Sequence, residues 1–314
     1  MELILFFIAV LLSWMLISGI FLFIFACVRK KDMPWLDEEV MKKTPYGKYY
    51  DIILTSDRWL KEHNAQNVGI TSDDGLNLQG LWIPAEQPRG TILFAHGYRS
   101  TFLVDFGPAF AYYHGLGMNI LVPYQRAHGL SQGRYITFGV KESGDMLRWL
   151  EFHNRTFGEF PVILDGLSMG ASTMMNLADK ELPNNVKGII ADCGFTSPKE
   201  IVRSVFKRVL RLPAAPSIWV ADILARLFAG FSFNECDTRK ILANNKLPII
   251  MVHGTADKFV PCEMTRQGYD ACSGPKTLFL VEGAGHGLSF LHDAQGYTRL
   301  ITELLDTHIG KQNK

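Results

Sequence analysis

The sequence predicts an α/β protein, with a mostly parallel sheet covered by helices on both faces and one apolar helix ahead of it. Three observations carry this expectation. From Val68 onward, short β-rich runs alternate with runs of helical spacing. Several of the β-rich runs are apolar throughout, as strands buried on both faces are. The stretch Leu3–Val28 is 26 residues without a charge.

That first stretch is read as a membrane span. As a helix it is roughly 39 Å long at ~1.5 Å per residue, enough to cross a hydrocarbon core of about 30 Å with tilt. Arg29, Lys30 and Lys31 follow at once. A secretory signal peptide has a basic leader and a shorter apolar run; here only Met1 and Glu2 precede the run. The three basic residues place their side of the helix in the cytoplasm, so the protein is expected to be single-pass with its large domain inside. Two alternatives stay open. One is a buried core helix. The other is a lipobox-like reading of Ile24-Phe25-Ala26-Cys27, to which Phe25 is a poor fit. The expected organisation is a transmembrane helix at 1–28, a juxtamembrane linker at 29–66 that packs in part on the domain, and the α/β domain at 67–314.

The elements of that domain follow in order. Asn67–Ile70 and Leu76–Pro84 read as a hairpin around Asp73-Asp74-Gly75. Thr91–Ala95 is a strand, Val104–His114 a helix and Asn119–Val122 a strand. Phe138–Asn154 has helical spacing, with Val140, Met146, Trp149 and Leu150 on one side. Pro161–Leu164 is a strand, Ser172–Lys180 a helix and Lys187–Ala191 a strand. Pro248–Val252 and Thr277–Val281 are two more strands, and a helix over Gln295–Thr307 closes the domain. Ligands of such sheets bind beyond the carboxyl ends of the strands, so the chemistry is sought there.

Composition excludes several functions. The net charge is +1, from 32 basic and 31 acidic residues, which does not suit a nucleic-acid-binding protein. The five cysteines are odd in number and widely spaced, and form neither a disulfide framework nor a zinc motif. His63, His114, His153, His292 and His308 follow no metal-ligand spacing. No metal and no cofactor are expected.

Pro161–Leu164 runs into Asp165-Gly166-Leu167-Ser168-Met169-Gly170, and a helix follows. Gly166-x-Ser168-x-Gly170 is the pattern of a nucleophile elbow, a turn too sharp for side chains beside the serine. A nucleophilic serine needs a base, and the base needs an orienting carboxylate. Asp257 lies in the loop after Pro248–Val252, and His286 in the loop after Thr277–Val281. The chain order Ser168, Asp257, His286 puts all three beyond strand ends. Asp192, after Lys187–Ala191, is the alternative acid. Asp165, His96 and His253 are read as structural.

The elbow, the segment His253-Gly254-Thr255-Ala256-Asp257 and the segment Gly283-Ala284-Gly285-His286-Gly287 resemble the α/β-hydrolase family. The resemblance implies that fold and a Ser168–His286–Asp257 triad. His96-Gly97-Tyr98 resembles the family's oxyanion loop, which implies that the backbone N–H groups of Tyr98 and Met169 hold the oxyanion. His128-Gly129 with Ser131 and Gly133 looks like a loop that supports that region. The chain lacks the longer His-Gly-Gly-Gly form of one lipase and esterase group.

About fifty-five residues separate Lys187–Ala191 from Pro248–Val252, too many for a simple crossover. Ser197–Leu212 has apolar Ile201, Val202, Val205, Phe206 and Val209 opposite a basic face. Pro213 and Pro216 are expected to break it, and Ser217–Phe228 is a second, more apolar helix. The segment at about 196–246 is expected to form a small helical cap over an acyl or alcohol pocket. Packing on the core, or contact of the basic face with anionic lipid, are the alternatives.

The functional expectation is a serine hydrolase that cleaves small-molecule carboxylic esters through an acyl-enzyme on Ser168, anchored through residues 3–28. A peptidase, thioesterase, lipase or acyltransferase would use the same residues. A non-catalytic membrane-anchored binding protein on this scaffold is the alternative from another class.

Overall fold

The computed structural model describes residues 1–210 and 215–311. Eight strands form one sheet: β1 Gln66–Thr71, β2 Asn77–Ile83, β3 Gly90–Ala95, β4 Met118–Pro123, β5 Val162–Leu167, β6 Val186–Asp192, β7 Ile249–Gly254 and β8 Lys276–Val281. Their order is β1-β2-β4-β3-β5-β6-β7-β8. β1 with β2 and β2 with β4 are antiparallel; every other pair is parallel.

The strand residues alternate between two cores. In β3, Ile92 and Phe94 point to one face, where they meet Phe106, Phe110 and Tyr113 of the helix Phe102–Gly115. Leu93 and Ala95 point to the other, against Met146, Trp149 and Leu150 of the helix Val140–Phe157. This period-two division puts apolar side chains on both faces and accounts for the unbroken apolar runs.

The predicted strands fall where expected, with ends moved by no more than three residues. Among the described residues of the domain at 67–314, three helices lack a predicted counterpart: Thr238–Leu242, Cys262–Ala271 between β7 and β8, and Ser289–His292. The helix after β5 is Met169–Met175, not Ser172–Lys180; it starts directly on the elbow.

Segment 29–66 is woven into the domain. It forms the short helix Glu38–Met41 and the helix Tyr50–Glu62, and Met41 and Ile53 are fully buried in the core beside Phe110. Between β6 and β7 the chain forms the helices Pro198–Leu210 and Ala215–Leu224 and a π-helical turn at Ala225–Ala229. The expected break at Pro213, with Arg211 and Leu212, lies outside the described residues. Pro216 breaks nothing. It sits in the first turn of the second helix, where a missing N–H costs little.

The N-terminal helix spans Glu2–Cys27. Leu3 to Leu12 are all exposed, Leu3 at 68% and Leu12 at 57%, so this is not a core helix. Its C-terminal part is docked. Leu22, Phe23, Ala26 and Cys27 are buried in a third apolar cluster with Ile218, Ala221 and Ala225. Ser18 and Ser217 share a hydrogen bond of 2.8 Å. Gly19 lets the two helices approach: a Cβ there would lie 2.4 Å from Val220 Cβ. Small residues at a helix crossing do this in membranes as well as in water.

Candidate active site

Four loops at the carboxyl end of the sheet build the site. The sharpest follows β5. Ser168 has φ 56° and ψ −114°, a strained backbone for a residue with a side chain. Its neighbours are glycines for a steric reason. A Cβ on Gly166 would lie 2.3 Å from Gly170 O, and one on Gly170 would lie 1.7 Å from Ala95 O. The Ser168 N–H donates to Asp192 O at 2.8 Å, tying the turn to β6.

The loops after β7 and β8 bring Asp257 and His286 to the serine. His286 Nε2 is 3.0 Å from Ser168 Oγ, and His286 Nδ1 is 2.6 Å from Asp257 Oδ2. The Asp257 side chain is buried. Its Oδ1 accepts N–H bonds from Phe259 at 2.7 Å and Val260 at 2.9 Å. Burial opposes the charge, but the hydrogen bonds from His253 and His286 outweigh it and hold this carboxyl well below the usual carboxylate range.

His253 was expected to be structural, and it touches Asp257. Its Nε2 lies 3.2 Å from Asp257 Oδ2 and 3.1 Å from Val260 O, and its Nδ1 lies 2.7 Å from the Thr265 hydroxyl. Its place four residues before Asp257 was the available signal. Asp192 does not face the imidazole as the acid. It accepts from the Ser289 hydroxyl at 2.9 Å, and burial raises its pKa. Cys193, Asp257 and His286 have potential ligand atoms within 4.8 Å of one another. Burial pushes the Cys193 thiol far above its ordinary pKa.

The loop after β3 carries Tyr98. Asp105, unmarked in the sequence, sets its shape by accepting from Gly97 N–H and from the Ser100 hydroxyl, each at 2.6 Å. Burial raises the Asp105 pKa to about 6. His96 and His128 brace the loop from behind: His96 Nε2 accepts from Gln125 N–H at 3.1 Å and His128 Nε2 from Arg99 N–H at 2.9 Å. Burial lowers their pKa values to about 4 and about 3, so both stay neutral and keep accepting. The Met169 N–H stands in the first turn of its helix, where no intrahelical acceptor exists.

This topology, with a serine at a strained turn after the central strand and a histidine and an aspartate beyond β8 and β7, defines the architecture. The chain has the α/β-hydrolase fold. Solved structures agree. The esterase Pf2001 of Pyrococcus furiosus superposes with a TM-score of 0.65 at 21% identity, over 79% of this chain and 92% of that one. The α/β hydrolase GrgF of a Penicillium species does so with a TM-score of 0.62 at 16% identity, over 78% and 99%. By sequence, the uncharacterized protein YqkD of Bacillus subtilis is 27% identical over 241 residues, which are 76% of this chain and 78% of that protein. No family model matches the chain.

Within this α/β-hydrolase fold, Ser168 opens into a cavity of about 290 Å³. Phe21, Leu22, Phe25 and Ala26 of the N-terminal helix form part of its wall. The helix is also pinned to the loop after β3. The Tyr98 hydroxyl donates to Ala26 O at 2.9 Å, and the Arg99 guanidinium donates to Phe25 O at 2.7 Å and Val28 O at 2.9 Å. Arg29 donates to Ser131 O at 2.7 Å and Gly129 O at 2.6 Å. Hydropathy marked this helix as an anchor and did not reveal it as part of the site.

Proposed function

We propose that the protein is a membrane-anchored serine hydrolase that cleaves carboxylic esters through an acyl-enzyme on Ser168. The observation that carries this is the unbroken contact from Ser168 Oγ through His286 to buried Asp257, at 3.0 Å and 2.6 Å.

The geometry supports a specific course. His286 Nε2 takes the proton as Ser168 Oγ attacks the ester carbonyl. The Met169 and Tyr98 N–H groups receive the developing oxyanion; one such donor contributes on the order of 10² to 10³ in rate. His286 then protonates the departing alcohol, leaving the acyl group on Ser168. Water, deprotonated by His286, releases the acid. Asp257 stays ionised and holds the imidazole with Nδ1–H towards itself.

A thioester would follow the same course. The cavity walls favour an acyl group over a peptide: among the described residues, the lining side chains beside Ser168 and Tyr98 are all apolar, and no carboxylate among them would receive a peptide amine. A complete triad also speaks against a binding protein without activity. We further place the domain on the cytoplasmic side, from Arg29, Lys30 and Lys31; protease protection in sealed vesicles tests that placement.

Ser168→Ala in the folded full chain should lower p-nitrophenyl butyrate turnover by at least about 10⁴-fold. Turnover at the wild-type rate would exclude the acyl-enzyme route. Peptide substrates measured beside the esters separate the peptidase alternative.

A further inference from the structure

We propose that the cavity at Ser168 is an acyl-chain pocket with the anchor helix as one wall, and that its substrate is a single-chain lipid ester drawn from the bilayer. This rests on the ester-hydrolase reading above.

The walls state the ligand's chemistry. Phe21, Leu22, Phe25 and Ala26 face the cavity from the anchor. Val202, Val205 and Phe206 face it from the helix Pro198–Leu210. A pocket with apolar walls and a reactive hydroxyl at one end accepts a hydrocarbon joined to a carbonyl. Its size limits the hydrocarbon. With a methylene taken as about the volume of a water molecule, about 30 Å³, the 290 Å³ cavity holds on the order of ten carbons. That suits one acyl chain at a time.

The anchor's composition states where the mouth lies. Its uncharged run continues past the Ser18–Ser217 contact to Val28, so the segment that packs on the helix Ala215–Leu224 is itself part of the apolar span, and that helix sits at the membrane surface. Its exposed side chains suit that position. Trp219 is 62% exposed, and in the turn that follows Leu227 is 71% and Phe228 60% exposed. Tryptophan favours the interface, and such side chains gain free energy in lipid. Phe21 and Phe25 line the pocket while remaining 53% and 43% exposed, so this wall borders both the cavity and the bilayer. An acyl chain moving from the bilayer to the cavity would meet apolar side chains on this wall.

The test uses the full chain in phospholipid nanodiscs with p-nitrophenyl esters from acetate to palmitate, and with monodecanoylglycerol dissolved in the same disc. Expected are a kcat/KM at least 100-fold higher for decanoate than for acetate, and release of decanoic acid from the glyceride. Leu22→Trp on the anchor wall and Val202→Trp on the opposite wall should each lower the decanoate-to-acetate ratio at least tenfold. Labelling of Ser168 by a fluorophosphonate shows that each variant is folded. A ratio near one, or a ratio that labelled variants of both walls leave unchanged, overturns the pocket assignment. Cleavage of p-nitrophenyl decanoate with no release from the glyceride overturns the bilayer source. Absence of all ester turnover in the wild type would instead overturn the underlying hydrolase reading.

Discussion

The Tyr98 hydroxyl donates to the Ala26 carbonyl at 2.9 Å, joining the loop that follows β3 to the last turn of the N-terminal helix. The backbone of the same residue is assigned to the oxyanion hole. The N-terminal helix and the loop that carries Tyr98 are thus joined by hydrogen bonds from Tyr98 and Arg99.

Tyr98→Phe isolates this link. The ring still stacks on Phe138, at a centroid distance of 5.5 Å. A hydrogen bond of this kind contributes about 0.5–1.5 kcal/mol. Ester kcat should fall about three- to tenfold with KM for acetate little changed. An unaltered kcat would show that the Tyr98 hydroxyl does not position the loop and that the Arg99 bonds to Phe25 O and Val28 O suffice.

The contact of Gly19 with Val220 offers a size-exchange test. Gly19→Ala places a methyl 2.4 Å from Val220 Cβ and should push the helices apart, lowering thermal stability in detergent. Val220→Gly on that background should recover part of the loss. If the two substitutions simply add, the helices do not meet there.

His253→Phe removes a neighbour of Asp257 and leaves that carboxyl less favoured in its charged form. A depressed folded pKa contributes stability above the ordinary value of 3.8 and loses it as pH falls below. The variant should therefore differ most from wild type above about pH 4, with the gap narrowing at lower pH, and its kcat should fall about tenfold, or about 1.4 kcal/mol. A gap independent of pH would assign His253 to packing alone.

Asp165 runs the other way. It is buried, accepts from the Tyr113 hydroxyl at 2.5 Å, and burial raises its pKa to about 7. The folded state therefore holds its proton more tightly than the unfolded chain. That contribution is full below about pH 4 and is lost as pH rises through about 7, at up to about 1.4 kcal/mol per unit. Wild type should lose stability relative to Asp165→Asn over this window, as read by chemical denaturation at pH 5, 6 and 7. Parallel curves would contradict it.

The sheet, the clustering of Ser168, Asp257 and His286, and the apolar span were legible because each leaves a local mark. Apolar strands mark the sheet, a Gly-x-Ser-x-Gly turn marks Ser168, and positions just beyond strands mark Asp257 and His286. Contacts between distant segments leave no such mark. Asp105 reads as an ordinary helix residue, and its hold on Gly97 exists only once the helix folds back onto the loop. The helix Cys262–Ala271 is too polar to stand out. Phe21 and Phe25 look like their apolar neighbours, because hydropathy reports that a helix is apolar and not which face lines a pocket. Ser18 and Gly19 were the clue to docking, as small residues amid Leu and Phe.

The central claim is that Ser168 is an activated nucleophile. Its most direct measurement is mass spectrometry of the full chain after treatment with a fluorophosphonate. The account predicts one adduct, on the peptide carrying Ser168, absent when His286 is replaced by alanine. An unmodified Ser168 in folded wild-type protein would contradict it.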